Sequence, residues 1–368
     1  MAEPLRIGFV GVGGMGQCAH LRNYAALPEC RVVALAELRP ELGRRVAARY
    51  GVPAVYREAE AMLDAEQLDA LVVPQPFDRH GQILPALYGR GLPILTEKPL
   101  AASVPVGERL VAQLDAAGGW QQVGYHKRSD PATMAARAEI DRLRASGELG
   151  ALRYVRLSMP PGDWVAAGFT DLLHSDEPLG DLVRDGAYTA FVNYYIHQVN
   201  LLRHLLGEPY EVTWADPSEV LFCAHSASGV LGVIEMAAYR TTIDWHESAL
   251  VAFERGWLRL DLPAPLANGR PGQLTLFADP GDRPPTTTSP SLPWVHAMRQ
   301  QAANYLAAVR GERTPICEAH EALEDLRVAR AYLRLLRGER RARRLGHTEL
   351  REERCLPADR IRRSRRPL

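Results

Sequence analysis

Lysine is nearly missing from this chain of 368 residues: of 44 basic side chains only Lys98 and Lys127 are lysine, and the rest are arginine. Arginine keeps its proton at any ordinary pH, whereas lysine releases it where the surroundings disfavour the charge. A coding bias explains the arginine excess, and it makes the positions that still hold lysine informative. An imbalance of charge is also missing, since 44 acidic residues offset the 44 basic ones. No overall field therefore draws the molecule to nucleic acid or an anionic membrane. No apolar run approaches the roughly 20 residues that span a bilayer, and Met1-Ala-Glu-Pro-Leu-Arg6 leads straight into a strand pattern rather than a cleavable leader. This predicts a cytoplasmic protein. The five cysteines, Cys18, Cys30, Cys223, Cys317 and Cys355, are scattered without CxxC or comparable spacing, which predicts neither a disulfide framework nor a bound metal.

What is present is a globular composition, 46% hydrophobic and 24% charged, in a chain long enough for two domains. Short apolar strands are expected at Leu5–Val10, Arg31–Glu37, Ala54–Tyr56, Leu68–Val73, Leu92–Thr96 and Trp120–Gly124, with helices between most of them. Such alternation predicts an α/β domain over 1–125, a Rossmann-type doubly wound parallel sheet covered on both faces. From Pro131 the pattern changes. A helix to Ser146, a strand at Leu152–Ser158, a polar loop from Pro160 to Asp185 and a helix at Ala187–Leu206 precede a run of strands between Glu211 and Ala278. This predicts an α+β domain over 126–337 with an open, mostly antiparallel sheet, closed by helices near Pro293–Arg310 and Ala319–Leu336. The remainder, 338–368, carries 11 arginines against 5 acids and reads as a flexible basic tail.

Gly11-Val-Gly-Gly-Met-Gly16 follows a strand and opens a helix. In that setting Gly11 makes the tight turn, Gly13 lets the backbone approach a pyrophosphate and Gly16 lets helix pack on strand, with the phosphates at the helix N-terminus beside Gly14 and Met15. Glu37, at the end of the second strand, is placed to take ribose hydroxyls and to repel a 2'-phosphate, which favours NAD. Arg39, two residues on, is able to accept that phosphate, so NADP stays open. Thr96-Glu97-Lys98-Pro99 ends another strand on the same sheet edge. Lys98 there either steadies the oxygen of a substrate during hydride transfer or forms a surface salt bridge with Glu97.

The glycine turn, Pro76 to His80, and Glu97-Lys98-Pro99 resemble the Gfo/Idh/MocA (glucose-fructose oxidoreductase / inositol dehydrogenase / rhizopine catabolism) family over roughly residues 4–336. Gly124-Tyr-His-Lys-Arg-Ser-Asp-Pro131 looks like the family's passage into the substrate domain, which puts Lys127 near nicotinamide and substrate. The resemblance also assigns Pro76, Glu97 and Lys98 to the cofactor side, and gives His80 either a cofactor or a structural role. A further family element, a helix with aspartate four residues before histidine, resembles Asn193-Tyr-Tyr-Ile-His197. Positions four apart share a helix face, so Asn193, His197 and Asn200 are expected along one wall. His197 becomes the candidate general base, oriented by Asn193, with Tyr194 in reach of substrate. Asn193 stands where the family has aspartate. An amide orients an imidazole but adds no charge, so His197 works at a lower pKa, Lys98 takes more of the proton work, or the redox chemistry is altered or lost.

The loop from Pro160 to Asp185 holds Asp163, Asp171, Asp176, Glu177, Asp181 and Asp185 against Arg184 alone. Either it is a solvated face, or its acids meet a cationic substrate such as an amino sugar or aminocyclitol, with Trp164 against a ring face. Trp245-His246-Glu247 begins a strand of the second sheet and reads as subunit contact or core. Together these features predict an NAD(P)-dependent oxidoreductase of a secondary alcohol or ketone on a sugar or cyclitol, without nucleic-acid or membrane partners. The resemblance implies a homodimer or homotetramer. The alternative is a protein that holds a dinucleotide for binding or regulation without turnover.

Overall fold

The computed structural model describes residues 3–166, 172–175 and 186–354. Six short strands, β1 (Leu5–Val10), β2 (Cys30–Ala36), β3 (Ala54–Tyr56), β4 (Ala70–Val73), β5 (Ile94–Thr96) and β6 (Gln121–Val123), form a sheet in the order β3-β2-β1-β4-β5-β6. All neighbours run parallel. Ile7, Phe9, Leu71, Val72 and Leu95 are buried, as strands covered on both faces require. The order runs outward in opposite directions from β1 and β4. Their connections therefore part, and a crevice opens at their carboxyl ends.

After β1 the chain enters a π-helical stretch, Gly16–Leu21, that continues as Arg22–Tyr24. It ends at Tyr24, ahead of Leu27, which precedes Pro28 and is thereby biased away from helix. A short helix, Ala59–Ala65, that periodicity did not single out lies between β3 and β4 with Met62 fully buried.

The second sheet contains β7 (Leu152–Ser158), β8 (Tyr210–Ala215), β9 (Leu221–Ser226), β10 (Leu231–Glu235), β11 (Glu247–Phe253), β12 (Gly256–Leu262), β13 (Gln273–Ala278) and β14 (Thr286–Thr288), in the order β14-β13-β12-β11-β7-β10-β9-β8. Only β7 and β10 pair in parallel. Alternate residues of β11 are buried, Ala249, Val251 and Phe253 among them, the period-two pattern of a sheet with one covered face. The helix Gly186–Leu206 lies against that face and buries Phe191, Val192, Ile196, Val199 and Leu202.

Two closing helices tie the halves together. Ala297–Val309 returns to the first sheet, where Ala302, Tyr305 and Leu306 pack with Ile7, Phe9 and Leu95, and Tyr305 Oη donates to Leu71 O at 3.0 Å. The last helix, Ala319–Arg354, runs beyond Gly338 into the segment expected to be a flexible tail. Alanine, leucine, arginine and glutamate favour helix, and the two glycines, Gly338 and Gly346, cost only about 1 kcal/mol each. Between the long helices, Asn200 donates to Asp325 at 2.7 Å and accepts from Arg128 Nε at 2.5 Å, while Arg203 pairs with Asp325. Asn200 is thus a buried tie between helices and not part of the expected cleft wall.

Candidate active site

The glycine turn lies on the crevice between β1 and β4. Gly11 has φ +97°, a conformation side chains avoid, and a Cβ there would run into the Gln75 side chain. A Cβ on Gly16 would lie 2.9 Å from Gly11 O, so this glycine lets the helix approach the turn. A Cβ on Gly13 would meet only Arg39, at 3.6 Å, which leaves its outer side free for a ligand. Gly11, Gly13, Gly14, Met15, Glu37, Arg39, Pro76, Glu97 and Lys98 line one cleft of about 830 Å³.

Glu37 is engaged on both oxygens. Oε2 accepts from Val12 N at 2.9 Å, and Arg39 grips the carboxylate with Nε at 2.6 Å and Nη2 at 3.1 Å. The side chain expected to admit a 2'-phosphate is therefore held by the one expected to repel it. His80 is not at the cleft. It is fully buried, its Nδ1 donating to Leu100 O at 2.9 Å and its Nε2 lying 3.2 Å from Gln75 O. Burial pushes its pKa down. It braces the loops after β4 and β5, the structural one of its two expected roles.

Lys98 follows β5, and its Nζ donates to the backbone carbonyl of Asn193 at 2.6 Å. Burial pulls Lys98 down to about 8, with Glu97 opposing the shift and Lys127 adding to it. Burial pushes the Glu97 carboxyl up, but the hydrogen bond from His20 Nε2 at 2.6 Å and the neighbouring cations outweigh it and hold Glu97 below its ordinary value. His20 lies on the π-helical stretch, which ties the glycine-turn helix to the lysine strand.

His197 borders the same cleft from the helix Gly186–Leu206. Its ring packs edge-on to His126 at 4.6 Å and to Tyr125 at 5.9 Å between centroids. Burial, then the charges of His126, Lys98 and Lys127, hold His197 well below its ordinary pKa. The buried Nδ1 atoms of His197 and His126 find no partner among the described residues. The expected orienting bond from Asn193 to His197 is not made; ring packing fixes the imidazole, and Asn193 acts through its carbonyl on Lys98. Tyr194 lines the cleft, whereas Tyr195 donates to Met236 O at 2.7 Å.

Lys127 is buried, paired with Glu247, its ammonium 5.6 Å from the centre of the Trp245 ring. Glu247 also accepts from Gln198 at 2.8 Å and from Trp245 Nε1 at 3.0 Å. Trp245 lines the cleft. Trp164 lines the cleft too. Asp163 does not: its Oδ1 accepts from Val165 N and Ala166 N, each at 3.1 Å, and it faces a second cavity. Asp171, Asp176, Glu177, Asp181 and Asp185 lie outside the described residues. The sequence reading assigned no role to His20 or His126 and read Trp245 and Glu247 as subunit contact or core; His126 had a signal, its place beside Lys127.

Residues 5–125 match the model of a family described as an oxidoreductase family with an NAD-binding Rossmann fold, GFO_IDH_MocA. Over those residues the chain is therefore similar to the Gfo/Idh/MocA oxidoreductases. Inositol 2-dehydrogenase of Rhizobium meliloti is 25% identical over 353 residues, covering 90% of this chain and 96% of that protein. Inositol 2-dehydrogenase of Pseudomonas fluorescens is 28% identical over 209 residues, and the match spans 56% of its length and 56% of this chain. The solved NAD-binding oxidoreductase from Klebsiella pneumoniae shares the fold, with a TM-score of 0.71 at 19% identity over 92% of this chain and 98% of that one. Among the described residues no helix is long and apolar enough to cross a membrane, and no cluster of side chains could hold a metal ion.

Proposed function

We propose that this chain transfers hydride between a nicotinamide dinucleotide and a secondary alcohol or ketone of a sugar or cyclitol. The observation that carries this is the meeting, in one cleft, of the glycine turn, a lysine whose proton affinity is lowered to about 8 and a buried neutral histidine. The cradle fits a dinucleotide: Gly11 and Gly16 occupy positions a Cβ would fill, and Gly13 is open on its outer side. Gly13, Gly14 and Met15 would hold the phosphates, and Glu37 the ribose hydroxyls once Arg39 is displaced. A bound nicotinamide supplies the hydride acceptor or donor.

The protein's own groups divide the remaining work. Lys98, near its midpoint at neutral to mildly basic pH, takes the hydroxyl proton in oxidation and returns it in reduction. When charged it steadies developing oxyanion charge. His197 stays neutral and offers one hydrogen bond to orient the same hydroxyl, while the aromatic faces of Trp164 and Trp245 exclude water. Glu97, although bonded to His20, still favours the charged form of Lys98, while the carboxylate of Glu247 is engaged by Lys127.

The described walls favour a neutral polyol. The narrower substrate class, an amino sugar or aminocyclitol, rests on the acids of the 160–185 loop, and competition between an amino sugar and its neutral analogue tests it; equal turnover removes it. The names of the inositol 2-dehydrogenase relatives support a cyclitol. Purified protein given NAD and a panel of polyols is expected to generate reduced nicotinamide, lost in Lys98→Ala and His197→Ala. A wild-type protein that binds NAD but is silent across the panel is a dinucleotide-holding protein instead.

A further inference from the structure

Gln17 follows the last glycine of the turn, near the start of the π-helical stretch, and is buried. It holds the turn twice. Its backbone N–H donates to Gly13 O at 2.9 Å, and its side-chain Nε2 donates to Val12 O at 2.9 Å. A peptide unit is planar and trans, so its C=O and its N–H point in opposite directions. Drawing the carbonyls of Val12 and Gly13 toward Gln17 therefore turns the N–H groups that follow them, those of Gly13 and Gly14, away from it. Both residues line the cleft, and N–H groups at the start of a helix have no partner within it and suit an anion.

The rest of the Gln17 amide reaches a distant stretch of chain. Oε1 accepts from Leu173 N at 3.0 Å, and Nε2 also donates to Leu173 O at 3.0 Å, across 156 positions of sequence. Turned over, the amide would set its oxygen against two carbonyls and its NH₂ against the Leu173 N–H, so the network admits one orientation. Around this pair, Leu172 and Met15 pack onto Cys18, Ala19, Leu266 and Met298, and Arg45 Nη1 donates to His174 O at 3.3 Å. Residues 172–174, which follow β7 in the chain, are thus docked on the glycine-turn side of the first sheet.

We infer that Gln17 is a positioning residue for the dinucleotide phosphates and that Leu173 holds it in place, so that cofactor affinity is set in part by the half of the chain that builds the second sheet. This rests on the dinucleotide binding of the proposed function. The test is fluorescence titration of the full chain with reduced nicotinamide dinucleotide (NADH), with thermal melts of the ligand-free protein and absorbance assays on NAD and the polyol panel. Gln17→Met keeps the length of the side chain without its hydrogen bonds, and it is expected to weaken NADH binding about tenfold, the loss of one or two such bonds. Leu173→Pro removes the N–H that Oε1 accepts and leaves the glycine turn unaltered in sequence; it is expected to weaken binding about threefold. The double variant is expected to bind no more weakly than Gln17→Met alone, because both changes act through one amide. A residue with a merely structural role would lower the melting temperature and leave the affinity of the folded protein unchanged. That result, an affinity unmoved by Leu173→Pro, or losses that multiply in the double variant overturns the inference. If Gln17→Met does not fold, Leu173→Pro decides by the same reading. Polyol oxidation with NADH affinity unchanged in the variants removes the positioning role and leaves the dehydrogenase. Weakened NADH binding in a chain silent to every polyol does the reverse, and a wild-type chain that binds no NADH overturns both.

Discussion

Lys98 carries a prediction that the scarcity of lysine makes unusually direct to check. Burial is the main cause that lowers its pKa from 10.5 to about 8, a net shift of about 3 kcal/mol against the charged form at roughly 1.4 kcal/mol per unit. At pH 7 about one molecule in ten then holds the neutral amine, against roughly one in 3,000 for an unshifted lysine. If this amine takes the hydroxyl proton, oxidation rises about tenfold per pH unit below 8 and levels above it. Reduction, which needs the charged form, is level below 8 and falls about tenfold per pH unit above it. Because the chain has two lysines, labelling lysine with ¹⁵N gives two side-chain Nζ resonances, and Lys98→Arg assigns them. The Lys98 signal is expected to titrate near 8, and Lys98→Arg, which keeps a cation but cannot release its proton, is expected to abolish the inflection and cost about 10²-fold or more in rate. A Lys98 midpoint above 10, or an inflection near 8 that survives in Lys98→Arg, would refute this assignment.

Three further outcomes separate the roles of neighbouring groups. Gly11→Ala is expected to destabilise the ligand-free protein by about 1–3 kcal/mol through backbone strain, whereas Gly13→Ala leaves its melting temperature nearly unchanged but weakens NAD binding about tenfold or more; thermal melts and NAD titrations read the two effects. Glu37→Gln removes the carboxylate that grips Arg39 and is expected to shift the ratio of NADP to NAD affinity toward NADP by about tenfold, with an unchanged ratio counting against the latch. Asp325→Ala leaves buried Arg203 and Asn200 without their partner and is expected to cost about 3–5 kcal/mol in denaturant unfolding.

Local pattern carried the first sheet. Strands such as β1 and β3 stand out because continuous apolar runs between turn residues have one good solution, and the glycine turn is a backbone requirement written in one residue type. Lys98 was legible for a compositional reason, its rarity, together with its place at a strand end. What escaped is what depends on residues far apart in the chain. Glu247 meets Lys127 across 120 positions and His20 meets Glu97 across 77, and no periodicity links either pair. Asn193 was placed on the correct helix but given the wrong atom, since spacing describes side chains and Lys98 uses its carbonyl. His80 and Asn200 are polar residues satisfied internally, which sequence alone does not distinguish from polar residues held open for a ligand.

The central claim is that Lys98 and His197 work on a substrate hydroxyl beside a dinucleotide held on the Gly11 turn. The most direct measurement follows a polyol deuterated at its carbinol carbons with NAD and the wild-type chain, looking for deuterium on the nicotinamide. The account predicts label on the nicotinamide, lost in Lys98→Arg while NAD still binds. Tight NAD binding with no label from any polyol of a broad panel would contradict it.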